Sequence, residues 1–165
     1  MSYTNKTTPE PERDSWRTPE KVFDWLDRIY RFDYDAACTI ENALKRPVWL
    51  GAPGDDALKA DWIGTLYCNP PYSDIGPWVD KAIQSAERGA TVVMLIPSPN
   101  GEAYHAKALR HAKRLILING RLAFINSDGK PVSGNSRGSC VYVFAPGPDQ
   151  GCAHLSTIDR SEMYK

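Results

Sequence analysis

The sequence predicts an α/β sandwich built on a mostly parallel sheet, with an antiparallel strand near the C-terminus. Three observations carry this. Strand-like apolar runs alternate with amphipathic helical segments. The run Thr91-Val92-Val93-Met94-Leu95-Ile96 is continuously apolar, as in a strand covered on both faces. The last two strand-like runs, 122–125 and 139–144, have no helix between them, so they are expected to run antiparallel.

Taken in order, residues 1–13 are rich in Thr, Pro, Glu and Lys and read as a disordered arm. Thr18-Pro19 then opens a helix, Thr as N-cap and Pro at the first helical position. Its apolar face is Val22, Leu26 and Ile29, with Phe23 and Tyr30 alongside. Residues 32–37 form a short strand ending in small residues, 48–50 another, and 51–56 a loop. Residues 65–68 form a strand that runs straight into Asn69-Pro70-Pro71-Tyr72, where two consecutive prolines must turn the chain out of the sheet. Pro77 starts a helix whose buried face is Trp78, Val79, Ala82, Ile83 and Ala86. The apolar run above ends at Pro97; a helix over 101–113 and a strand over 115–118 follow. The runs 122–125 and 139–144 flank a Gly/Ser/Asn-rich span, 126–138. The reading gives one domain, 14–146, and a loose tail, 147–165.

Composition narrows the class. At 165 residues, 42% hydrophobic and 24% charged, the chain is an ordinary globular domain with enough length to bury a substantial core. It has neither an apolar run of about 18 residues nor an apolar N-terminal segment, so neither a membrane span nor a signal peptide is expected. Cys38, Cys68, Cys140 and Cys152 show no C-x-x-C spacing. That argues against zinc and against a disulfide framework, and it fits the reducing cytoplasm. His105, His111 and His154 have no metal-ligand spacing, and no phosphate-loop or G-x-S-x-G motif is present. The net charge is zero, yet residues 101–140 hold seven Lys/Arg against Glu102 and Asp128. Such a stretch is either a solvated face or a source of phosphate contacts.

Ligand crevices in open α/β sheets lie beyond the carboxyl ends of the strands, where both Asp35-Ala36-Ala37 and Asn69-Pro70-Pro71-Tyr72 fall. The two prolines make a rigid turn and leave the Pro70 carbonyl without a donor from Pro71. The Asn69 side chain adds a second acceptor, and Tyr72 adds a flat π-face. An amino group on an aromatic ring suits this set: its N–H groups meet the acceptors and its ring stacks on the tyrosine. The lone pair of such an amine is delocalised, and hydrogen bonds from its N–H groups favour a more pyramidal, more nucleophilic nitrogen.

With these segments in order, the chain resembles the phage-type DNA N6-adenine methyltransferases, within the amino-methyltransferases that carry [D/N/S]-P-P-[Y/F/W]. The resemblance runs from about Trp16 to about Phe144. It rests on Trp16-Arg17-Thr18-Pro19, Phe32-Asp33-Tyr34-Asp35-Ala36-Ala37 with Glu41-Asn42-Ala43, and Asp55-Asp56-Ala57-Leu58 with Asp61-Trp62. It continues through Asn69-Pro70-Pro71-Tyr72-Ser73 with Ile75-Gly76-Pro77-Trp78-Val79, then Leu95-Ile96-Pro97, and Gly120-Arg121-Leu122-Ala123-Phe124. The resemblance implies a Rossmann-like class I methyltransferase sandwich that transfers the methyl group of S-adenosylmethionine to N6 of a flipped-out adenine in double-stranded DNA. The host cytoplasm of a phage is the implied location. Asn69 and Pro70 would hold the amine, Pro71 would shape the turn, and Tyr72 would stack on the base. Trp16, Thr18, Pro19, Asp35, Ala36 and Asp56 would bind the cofactor, with no metal. No covalent intermediate is implied, and Cys68 stands in the order Cys-Asn-Pro, not the Pro-Cys of cytosine-C5 enzymes.

The chain departs from the wider class in two places. Asp35-Ala36-Ala37-Cys38-Thr39 has no glycine, and the short interval from Asp35 to Asn69 leaves the ribose-binding acid absent or supplied by Glu41 or Asp55. There is also no room for a separate target-recognition domain. DNA contacts are therefore expected from Ser98 and Asn100 after Pro97, and from Arg121 and Arg137. The same motif also serves methylation of RNA adenine or a protein glutamine, and a catalytically inactive DNA-binding relative is the alternative outside enzymes. The sequence sets no oligomeric state.

Overall fold

The central apolar β-rich runs, buried on both faces, must satisfy their backbones laterally and pair into one six-stranded sheet. The computed structural model describes residues 14–38, 44, 56–132, 137–148 and 151–165. The strands are β1 (Tyr34–Asp35), β2 (Thr65–Cys68), β3 (Thr91–Pro97), β4 (Arg114–Asn119), β5 (Ser139–Phe144) and β6 (His154–Asp159), in the order β1-β2-β3-β5-β4-β6. β1, β2 and β3 are parallel, β5 is antiparallel to both β3 and β4, and β6 is parallel to β4. The antiparallel strand is therefore inserted inside the sheet. The expected strand at 48–50 and the loop at 51–55 lie outside the described residues.

Successive side chains point to opposite faces and split the core in two. Leu66, Cys68, Val92, Met94, Ile96, Cys140 and Tyr142 face α2 (Gly76–Glu87) and α3 (Ala103–His111). Tyr67, Val93, Leu95, Val141 and Val143 face α1 (Glu20–Tyr30) and α4 (Arg160–Met163). α2 carries Pro in its first turn and buries Val79, Ala82, Ile83 and Ala86 as the periodicity predicts, with Trp78 only partly buried. α1 buries Val22, Phe23 and Leu26, while Ile29 is half exposed. α3 is shorter than 101–113, because Gly101 takes a left-handed φ and Glu102 is the extended N-cap.

Three expectations are corrected. Thr18 is not the cap of α1: Pro19 holds that position with no side-chain cap, and its carbonyl accepts from the N–H groups of Val22 and Phe23. Residues 122–125 are not a sheet strand. Both edges of β4 are taken by β5 and β6, so Ile125 bridges instead to Arg17 and to Pro131. The tail is not loose after 147, since β6 pairs along the whole of β4 and Met163 is buried in the α1-side core.

No helix among the described residues is long and apolar enough to cross a membrane. Met163→Ala should lower unfolding stability by about 2–3 kcal/mol, the usual range for emptying a buried methionine site. Urea denaturation measures this, and an unchanged midpoint would mean that the C-terminal segment does not dock.

Candidate active site

The carboxyl ends of β1, β2, β3 and β4 share one edge of the sheet, and the chain crosses that edge before α1 begins. Trp16-Arg17-Thr18 is held there by a two-way backbone pair: Arg17 N–H to Ile125 O at 2.7 Å, and Ile125 N–H to Arg17 O at 2.9 Å. The Ser73 N–H donates to Asp14 Oδ1 at 3.0 Å, which ties the turn after Tyr72 to the same segment. The Thr18 hydroxyl lies 2.5 Å from the Tyr67 hydroxyl. Both are buried, so each polar group solves the other's desolvation. A small cleft opens between these elements, lined among others by Trp16, Thr18, Asp35, Tyr67, Asn69 and Pro71.

Asn69 follows β2 directly. Its Nδ2 donates to the Trp16 carbonyl at 3.3 Å. A carbonyl can only accept, so this contact turns the amide the one way that aims Oδ1 elsewhere. That Oδ1 is buried without a partner among the described residues, as are Trp16 Nε1 and the Tyr72 hydroxyl. Buried polar atoms are seldom left unpaired. These three lie on one loop and the segment crossing it. The Phe124 ring joins them, edge-on to Tyr72 at 6.0 Å and stacked on Trp16 at 6.2 Å.

The electrostatics are equally specific. Asp35 is 4% exposed at the end of β1, and among the described residues its carboxylate accepts long bonds, 3.4 Å each, from the Ala37 and Leu44 N–H groups. Burial outweighs those bonds and pushes its pKa up to about 6. Burial also pushes Cys38 up to about 12, with the Asp35 charge adding to the effect. Cys68 is raised well above the ordinary thiol range, first by burial and then by Asp35. Neither thiol is poised as a nucleophile. Tyr72 is likewise held neutral by burial. Among the described residues no three His, Cys, Asp or Glu side chains gather as a metal site.

Of the residues singled out in the sequence, Trp16, Thr18, Asp35, Asn69 and Pro71 line the cleft. Pro70 is buried in the turn and Tyr72 packs beside it. Ala36, Pro19 and Asp56 are not among the described lining residues. Ala36 points into the α2-side core and Pro19 starts α1. Asp56 is exposed, accepts from the Leu58 N–H at 3.0 Å and pairs with Lys59. Glu41 and Asp55 lie outside the described residues. Ser98 and Arg121 meet at residue 138: the Ser98 N–H donates to Gly138 O at 2.9 Å. A Cβ on Gly138 would sit 2.8 Å from Ser98 Oγ and 3.7 Å from Arg121 Nη1, so glycine permits the approach. Asn100 and Arg137 are exposed on the same edge. Sequence reasoning missed Asp14, Tyr67 and Leu44 in the cleft; of these, only the strand alternation of Tyr67 carried a signal.

A doubly covered sheet with its antiparallel strand inserted between β3 and β4, and a cleft at the carboxyl edge, defines a class I S-adenosylmethionine-dependent methyltransferase fold. A Listeria monocytogenes protein described as a candidate enzyme of that class superposes with a TM-score of 0.54 at 14% identity, covering 92% of this chain and 68% of that one. The family model for DNA N-6-adenine-methyltransferase (Dam) matches residues 5–165, and the chain belongs to that family. It is 32% identical to a DNA N-6-adenine-methyltransferase of Haemophilus phage HP1 (strain HP1c1), over 97% of this chain and 95% of that protein. It is also 32% identical to one of Escherichia phage T1, over 86% of this chain and 66% of that protein. These matches do not favour the RNA, glutamine or inactive alternatives.

The cleft suits the cofactor of that class. S-adenosylmethionine carries two positive groups, and the buried carboxylate of Asp35 has no cation beside it among the described residues. Because folded Asp35 holds its proton more tightly than the unfolded chain, ionising it as pH rises from 3.8 to about 6 costs stability. A bound cation offsets that cost. Cofactor affinity should therefore strengthen about tenfold between pH 5 and pH 7.5, with proton release near pH 6. Calorimetry in buffers of different ionisation enthalpy measures both, and Asp35→Asn should flatten the profile. A flat wild-type profile would mean that Asp35 does not face the ligand.

Proposed function

We propose that this chain methylates N6 of adenine at specific sites in double-stranded DNA, taking the base out of the helix into the cleft mouth beside Asn69. The observation that carries the reading is the buried Oδ1 of Asn69, without a partner among the described residues, oriented by the Trp16 carbonyl and set in a turn whose Pro70 carbonyl has no donor from Pro71. Two acceptors fit the two N–H groups of an exocyclic amine, and a protonated thiol next door fits direct transfer without a covalent enzyme–base species. S-adenosylmethionine supplies the electrophilic methyl group.

The chain's residues then divide the work. Asn69 and the Pro70 carbonyl draw on the amine hydrogens and favour the lone pair as it forms the new bond. Tyr72, braced by Phe124, receives the face of the flipped base, which costs unstacking and so needs a compensating surface. Asp35, Thr18 and Trp16 hold the cofactor and keep water out of its end of the cleft. Ser98, Asn100, Arg121 and Arg137 meet the DNA, phosphates first. The proton lost from nitrogen passes to water at the cleft mouth, because Asn69 has no basic group to keep it.

Labelled cofactor offered with duplex DNA, RNA and protein fractions should label the duplex alone; label confined to protein or RNA would refute the reading. Asn69→Ala should lower kcat by a factor of 100 or more, as loss of an electrostatic stabiliser does, with cofactor affinity within about twofold of wild type. A variant with near-normal turnover would remove Asn69 from the chemistry.

A further inference from the structure

One more aromatic side chain, Tyr104, packs with Tyr72 against the α2-side core, and neither the motif nor the cofactor pocket accounts for it. It lies in the first turn of α3, immediately beyond the carboxyl end of β3. Its ring is only partly buried, packed at its base against the α2-side core. It is not loosely placed. The ring sits 4.3 Å from that of His105, and His105 is anchored by a 3.2 Å contact between its Nδ1 and the Tyr142 hydroxyl. Burial lowers the His105 pKa to about 4, so this support stays neutral across physiological pH.

The surroundings of the ring are those of a nucleic-acid contact. The Arg137 guanidinium and the Glu102 carboxylate both act on the Tyr104 hydroxyl, in opposite directions. Tyr104 and Tyr72 pack against the same buried cluster, and the charges of Tyr104 and Cys140 both act on Tyr72. Asn100 and the Ser98–Gly138–Arg121 junction lie on the same edge. A partly exposed aromatic ring seated against a histidine, with an arginine near its hydroxyl, is the combination that holds an unstacked base by its face and the adjoining phosphate by charge.

We propose that Tyr104 is a DNA-positioning residue whose ring stacks on the base next to the flipped adenine, while Arg137 takes the adjoining phosphate. Removal of a base from the duplex leaves its neighbour with one uncovered face, and a second aromatic surface at the mouth covers it. The proposal rests on the reading of the chain as a DNA adenine methyltransferase.

Steady-state kinetics on duplex DNA at several salt concentrations tests it, with Tyr104→Leu, Tyr104→Phe and Arg137→Ala beside the wild type. Tyr104→Leu should raise the DNA KM about tenfold at every salt concentration, with cofactor affinity and kcat at saturating DNA unchanged. Tyr104→Phe should match the wild type in all three. Arg137→Ala should instead flatten the salt dependence by about one unit of slope. A wild-type DNA KM in Tyr104→Leu would overturn the proposal. Should the leucine variant prove unstable, Tyr104→Phe decides: it retains the ring, and a tenfold loss there overturns the proposal too. A wild-type enzyme that labels no DNA would defeat the earlier functional reading; a wild type that labels DNA beside an unaffected leucine variant defeats only this one.

Discussion

The site depends on one backbone carbonyl. Trp16 O accepts from the Asn69 amide and so decides which way the amide faces. Without it the side chain is free to rotate by half a turn and present a donor where an acceptor is needed. The carbonyl is itself held in place by distant elements: the paired bonds between Arg17 and Ile125, the Asp14 contact to the Ser73 N–H, and the Thr18 contact to Tyr67. Each such bond adds only about 1 kcal/mol net. Together they lay residues 14–18 across the ends of the strands and form one wall of the cleft.

That arrangement leaves Asn69 Oδ1, Trp16 Nε1 and the Tyr72 hydroxyl buried without partners among the described residues. Each is an expense of roughly 1–3 kcal/mol to the unliganded fold. A stabilising substitution at any of them is easy to imagine chemically, so the polar atoms are better understood as groups awaiting their partners. Asp35 belongs with them, a carboxyl raised toward neutrality by burial. The cleft is thus acidic and acceptor-rich without a nucleophile, since burial keeps Cys38 and Cys68 protonated. Chemistry in it works through orientation and charge, not through bonds to the protein.

Much of this was legible in the residues. The continuous apolar run that became β3, the Pro-initiated α2 and the strand running into Asn69-Pro70-Pro71-Tyr72 are local signals, and each formed as expected. What was not legible is nonlocal. Thr18 has the chemistry of a helix cap, and only its closeness to a side chain 49 positions away explains why it does not act as one. Residues 122–125 have strand-like composition but no vacant sheet edge. β6 shows the converse: its side chains are mostly exposed, so its pattern is weak, and its place is set by the open edge of β4. Asp56, read as a cofactor contact by its position, is an exposed turn acceptor with Lys59 beside it.

The most direct measurement is a chemical double-mutant cycle on the amine itself. Duplexes carrying adenine or purine, which lacks the N6 amine, at the target position are bound to the wild type and to Asn69→Ala, and the affinities compared in the presence of a non-reactive cofactor analogue. If Asn69 Oδ1 receives the amine, the two losses are coupled by about 1 kcal/mol or more, within the range for residues in direct contact. Strictly additive losses would show that the asparagine and the amine never meet, and the account of the site would be wrong.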